Sequence, residues 1–315
     1  MGGLSGAPRA LVSALLLSLL LAGCATPPQV LDLRRSAADL PPQAEVAQVP
    51  FFPQEDYYCG PASLAMVLAW TGLDVTQDQI APEVYTPGRV GTLQPDILTA
   101  ARRHGRLAVQ VNTLHDMLKE LAAGNPVLVF QNLGLSWVPQ WHYAVATGYV
   151  LTPGDLVLHS GKEERHEVRF TTFARTWQRA GNWALTVLPP DRLPATASVD
   201  SVLDAAVGIE RAKRPEEAAI AYSTIVAKWP DSYPAWMGLG NTRYALKDFV
   251  QSETAFRKAS GLQPKSPQAW NNLAYALMGQ GRRAEAIDAA KRAIELAGDK
   301  AEPYRATLTE IEAQS

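Results

Sequence analysis

The chain has 315 residues, 47% of them apolar and 19% charged, which excludes a disordered polymer and leaves room for two domains of ordinary size. A formal net charge of -2, with no basic run, excludes a nucleic-acid binder, because a phosphate backbone selects for a strongly basic face. The five histidines fall at no metal-ligand spacing, and there is no CxxC pair and no Gly-rich phosphate loop, so no metal or cofactor is expected.

Arg9 is the only charge before an apolar run over 10–21. The run is short for a bilayer span and has the length of a signal-peptide core. It ends in Leu21-Ala22-Gly23-Cys24, which resembles the bacterial lipobox. That resemblance implies a leader over 1–23 and a lipid-modified Cys24. With Ala25 following instead of Asp, it implies attachment to the periplasmic face of the outer membrane of a Gram-negative cell. Acyl chains would contribute about 0.8 kcal/mol of membrane affinity per buried methylene. Once Cys24 is lipidated, Cys59 is alone in an oxidising compartment. Such a thiol is buried, paired with another chain, or kept for chemistry.

Residues 24–48 are rich in Pro, Ala and Gln without a period, and read as a tether. A mixed domain is expected over 49–190. Helical spacing marks 62–70, with Pro61 suited to a first turn, then 77–80 and 94–103. Thr113 suits an N-cap for a helix reaching 121, stopped by Gly124. Strands are expected over 126–131, 142–149, 156–159, 167–170 and 183–188. Helices first and an antiparallel sheet afterwards make an α+β domain.

A Pro-containing stretch over 191–199 reads as a linker. From 200 to 315 the chain repeats with a period of 34: Trp236, Leu239 and Gly240 answer Trp270, Leu273 and Ala274, and Phe256, Ala259 and Pro264 answer Ala290, Ala293 and Gly298. A weaker first copy holds Ala205, Ala206, Ala218, Tyr222 and Pro230. The pattern resembles the tetratricopeptide repeat, an all-α stack, with a capping helix over 301–313. The resemblance implies a groove that takes a protein partner.

The chemistry centres on Gln54-Glu55-Asp56-Tyr57-Tyr58-Cys59-Gly60-Pro61. A cysteine at a helix N-terminus meets the macrodipole and free N–H groups, which favour thiolate. The Gln54 amide and the Cys59 N–H together suit an oxyanion hole, and Gly60 suits close approach of a substrate backbone. Far downstream, His142 opens the strand His142-Tyr143-Ala144-Val145, where an imidazole can serve as base for the thiol and acid for a leaving amine.

Gln54, Cys59 and the His142 strand resemble the papain-like cysteine peptidases that cut double-glycine leaders from bacteriocin precursors, over about 49–190. The resemblance implies Gln54 as oxyanion residue, Cys59 as nucleophile and His142 as base, acting on an extended peptide with small residues before the scissile bond. The family places an aspartate at the end of the strand after the histidine to orient the imidazole. Here Ser160 stands there, and Asp155 is the nearest acid, so the third residue is Ser160 or Asp155. Two other functions fit the same residues: a catalytically impaired peptide-binding adaptor in an envelope assembly, and acyl transfer to an amine or thiol in place of water.

Overall fold

The computed structural model describes residues 26–54, 57–89 and 91–313. The expected leader and Cys24 lie outside the described residues. No helix among the described residues is long and apolar enough to cross a membrane.

The expected tether is instead part of the folded body. Helix α1 (Pro28–Ser36) has proline in its first turn and Arg34 and Arg35 in its last, the placement its dipole favours. It buries Val30 and Leu33, and Leu40, Val46 and Val49 follow them into the main core. Strand β1 (Gln43–Glu45) pairs with 148–150. Between helix and strand, Lys119 and His115 bind Asp39 at 2.8 and 2.9 Å and hold its carboxyl down at about 2. Five anchors spread over twenty residues show no period, so composition alone concealed them.

Helix α2 (Cys59–Trp70) buries every residue from Gly60 to Leu68, so the core surrounds it on all sides. Helix α3 (Gln77–Val84) starts at a Thr76–Gln79 capping box and runs four residues past its expected end. Strands β2 (Tyr85–Thr86) and β3 (Gly91–Thr92) form a small ladder before α4 (Gln94–Arg103), whose bounds match the expectation. Then come β4 (Leu107–Gln110), which was not expected, and α5 (Leu114–Ala122), capped by the Thr113 hydroxyl. Strands β5 (Val127–Asn132), β6 (Trp141–Val150), β7 (Asp155–Ser160) and β8 (Glu163–Arg169) follow.

The strand expected over 167–170 is only the end of β8, because Phe170 opens helix α6 (Phe170–Gln178). The run Phe170-Thr171-Thr172-Phe173 has the composition of a strand. Burial of Phe170, Phe173, Ala174 and Trp177 shows the helical spacing that won. Strand β9 (Ala184–Leu188) completes an antiparallel sheet in the order β4-β9-β5-β6-β7-β8. Beside β6, β5 covers 141–146 and β1 covers 148–150. Gly148 makes that possible, since a Cβ there would lie 2.7 Å from the Ala44 carbonyl oxygen.

The repeats are three hairpins, α7 (Val199–Arg211) with α8 (Pro215–Lys228), α9 (Tyr233–Ala245) with α10 (Phe249–Leu262), and α11 (Pro267–Gly279) with α12 (Arg283–Ala297), closed by α13 (Glu302–Ala313). Large rings fill the gaps left by small residues. A Cβ on Gly238 or Gly240 would sit 2.4 Å from the ring of Tyr222 or Phe256. Trp236 Nε1 donates to the Pro230 carbonyl at 2.7 Å, and one period later Trp270 Nε1 donates to the Pro264 carbonyl at 3.1 Å. The repeated Trp and Pro therefore mark a bond as well as a boundary.

The two parts share a core. Leu107 and Val109 of β4 pack with Val202, Ala206 and Ile209 of α7. Arg102 bonds Asp204 at 2.6 Å, lying so close to α7 that a Cβ on Gly208 would meet its side chain at 2.5 Å. The expected linker is clamped too. Fully buried Glu120 accepts hydrogen bonds from the Thr196 and Ala195 N–H groups at 2.7 and 3.1 Å, the Thr196 hydroxyl at 2.5 Å and the Asn125 amide at 2.7 Å.

Candidate active site

Cys59 is the first residue of α2, half-buried and free. Its thiol meets the backbone of Tyr143, the residue after His142 on β6. The helix start and the strand thus meet across one cleft. Gln54, Cys59, His142 and Tyr143 line a cavity of about 1060 Å³, together with Thr92, Leu93, Phe130 and Trp141.

The turn after β7 organises this site. Ser160 Oγ lies 2.9 Å from His142 Nε2. With the hydroxyl accepting from Nε2–H, Nδ1 keeps the lone pair and has no hydrogen-bond partner among the described residues. Gly161, next in the chain, holds Gln54 from both directions: its N–H donates to Gln54 Oε1 at 3.1 Å, and its carbonyl accepts from the Gln54 N–H at 2.9 Å. A positive φ of 61° suits glycine at this place. Gln54 Nε2 donates to Ser63 Oγ at 3.2 Å and to the Tyr143 carbonyl at 3.4 Å, the second bond being long and the easier one to give up.

Asp155 is elsewhere. It begins β7, five residues from Ser160, or about 16 Å at strand rise, and bonds Arg169 at 3.3 Å. Of the two candidates for the third position, the structure brings only Ser160 to His142. His159 is buried beside it, with Nε2 on the Val49 carbonyl at 3.2 Å and its other nitrogen on the Glu164 carbonyl, and therefore fills a strand end. His104, His115 and His166 pair with Glu83, Asp39 and Glu163 away from the cleft. Glu55 and Asp56 lie outside the described residues.

Two expectations about the cysteine change. Gly60 makes room for Thr92, not for substrate, since a Cβ there would sit 2.4 Å from Thr92 Oγ1. The thiol is also not acidified. Burial pushes Cys59 above its ordinary value, outweighing backbone hydrogen bonds from Tyr143, Gly60 and Cys59 itself. Burial, with a smaller contribution from His166, lowers His142 to about 4. The resting pair is therefore thiol and neutral imidazole, as expected when a hydroxyl stands where a carboxylate would stabilise imidazolium.

Residues 46–185 match the Peptidase_C39 like family. The C39-like domain covers less than half of the chain, and residues 210–267 and 239–301 match the Tetratricopeptide repeat family. The chain is thus a C39-like peptidase fold followed by tetratricopeptide repeats. Among solved structures, a putative C39-like peptidase from Bacillus anthracis is similar at 19% identity and TM-score 0.41, covering 46% of this chain and 97% of its own. The type III secretion chaperone SycD of Yersinia enterocolitica, in complex with a peptide of the translocator YopD, is similar at 18% identity and TM-score 0.36, covering 38% of this chain and 96% of its own. No curated protein matches.

Gly161, Ser63, Thr92 and Arg179 were not singled out as parts of the site from the sequence. The only signal for Gly161 was its place beside Ser160. Thr92 and Arg179 reach the cleft through the fold alone, and Ser63 is a buried partner of Gln54 one helical turn after Cys59.

Proposed function

We propose that the C39-like domain is a cysteine peptidase. The observation that carries this is the convergence of Gln54, Cys59 and His142 on one cavity, with Ser160 behind the imidazole. His142 Nδ1 takes the thiol proton as the Cys59 sulfur bonds to the peptide carbonyl carbon. The Gln54 amide, releasing the Tyr143 carbonyl, and the Cys59 N–H receive the oxyanion. His142 returns the proton to the leaving amine as the C–N bond breaks. Water, deprotonated by the same nitrogen, then cleaves the thioester. Ser160 acts as a positioning residue that fixes ring and tautomer.

The lipobox resemblance supports an envelope lipoprotein held through Cys24, at the periplasmic face of an outer membrane. The repeats support recruitment of a protein partner. A cavity of about 1090 Å³ between α7, α9 and the α10–α11 turn, lined by Tyr233, Met237 and Asn241, is the surface for it.

The neutral resting pair and Ser160 favour a second reading, a binding module whose cleft holds peptide without cutting it. Incubation with a mixed peptide library, read by mass spectrometry, separates the two. A peptidase releases fragments at neutral to alkaline pH, and Cys59→Ala lowers the rate at least about a thousandfold with unchanged thermal melting. Peptide binding without fragments in either protein would leave the binding module standing.

A further inference from the structure

One wall of the cleft carries a charge without a counter-charge among the described residues. Arg179 follows α6 and, with Ala180 and Gly181, lines the same cavity as Cys59 and His142. Its Nε and Nη2 donate to the Asn132 carbonyl at 3.3 and 2.9 Å, which fixes the plane of the guanidinium. Asn132 is itself held: its Oδ1 accepts from the Gly134 and Gln140 N–H groups at 3.0 and 2.9 Å. Nη1 of Arg179 has no partner, and Arg179 no carboxylate, among the described residues. The described lining of the cavity contains no Asp or Glu.

A guanidinium gains most, when half-buried, from a carboxylate, whose two oxygens match its planar fork. In the same cavity lining, Phe130 and Trp141 stack with centroids 5.3 Å apart and form an apolar face. The cleft thus offers one fixed cation on a rigid mount and an aromatic face.

We propose that Arg179 is a specificity-determining residue that binds a carboxylate of the peptide, supplied by an Asp or Glu side chain or by a free C-terminus. This rests on the reading of the cleft as a peptide site, whether or not the peptide is cut.

The test measures calorimetric binding of hexapeptides sharing one apolar sequence to the full chain carrying Cys59→Ala. One peptide is amidated and without acid, a set is amidated with Glu scanned through each position, and one has a free C-terminus and no acid. An acidic peptide is expected to bind about tenfold to a hundredfold tighter than the neutral amide. The preference weakens as salt rises. Adding Arg179→Gln, which keeps a donor for the Asn132 carbonyl, removes the preference and spares the neutral peptide's affinity, while Arg179→Lys keeps part of it. The winning arm identifies the source of the carboxylate. Equal affinity for all peptides, or a preference that survives Arg179→Gln, overturns the role of Arg179 alone. No binding by any peptide overturns the peptide cleft with it.

Discussion

The cleft and the repeat stack fix their side chains by opposite means. In the repeats the defining bonds are local: Trp236 and Trp270 each reach a proline carbonyl six residues back. In the cleft, Gln54 is held by partners 89 and 107 residues away. Local bonds recur with the sequence period, whereas a site assembled from distant segments has no period at all. It follows that damage to one repeat should stay within the helical stack, and that the site should respond to changes across the whole sheet.

Glu120 is where the two regimes are joined, and its removal is expected to have the largest effect. Glu120→Ala leaves the Thr196, Ala195 and Asn125 donors without their acceptor. We expect a loss of roughly 2–4 kcal/mol and a split of the thermal transition in two as the repeats uncouple from the sheet. One transition at an unchanged midpoint would mean that β4 and α7 alone carry the coupling.

A change inside the stack sharpens the contrast. Gly238→Ala puts a methyl group against the Tyr222 ring and should cost about 1–3 kcal/mol. Hydrogen exchange should rise in α8 and α9, with no change in Cys59 alkylation. Loss of Cys59 reactivity in this variant would show that the stack supports the site over long range.

The smallest expected effect lies in the cleft. Ser160→Asp sets a carboxylate against His142 Nε2, which raises the imidazole from about 4 and stabilises imidazolium beside thiolate. Iodoacetamide should then modify Cys59 about tenfold faster near pH 6. The unaltered chain should react slowly there and speed up only toward alkaline pH, as burial of the thiol dictates. The sign for stability follows from the same histidine. Its folded value, about 4, lies below its ordinary 6.5, so protons favour the unfolded chain. The contribution of neutral His142 is complete above about pH 6.5 and is lost as pH falls toward 4. His142→Phe should flatten that part of a denaturation-midpoint profile, and an unchanged slope would assign it to other groups.

Much of the molecule was legible in the chain before any contact was known. The 34-residue period defined the hairpins because each copy buries the same small and large residues against its neighbour. The bounds of α4 and the Thr113 cap followed from local chemistry. Gln54, Cys59 and His142 were singled out by type and spacing, and Ser160, as an alternative to Asp155, only by the family resemblance. Helix α6 was not read from the sequence: only Phe170 was assigned, to the end of a strand, while burial of Phe173 and Trp177 decided for helix. The tether expected over 24–48 was misread within its described residues, because anchors without a period, Val30, Leu33, Leu40 and Val46, resemble a tether.

The sequence by itself determined the order of the parts, the period of the stack, and which thiol and which imidazole stand ready to meet, since these depend on residue type and near neighbours. Only the tertiary structure decided that Ser160 and not Asp155 reaches His142, that Gly161 clamps Gln54, that Arg179 faces the cleft, and that Cys59 rests as a neutral thiol. Those outcomes depend on strand register and on how far burial separates a group from water, and neither is a property of any short segment.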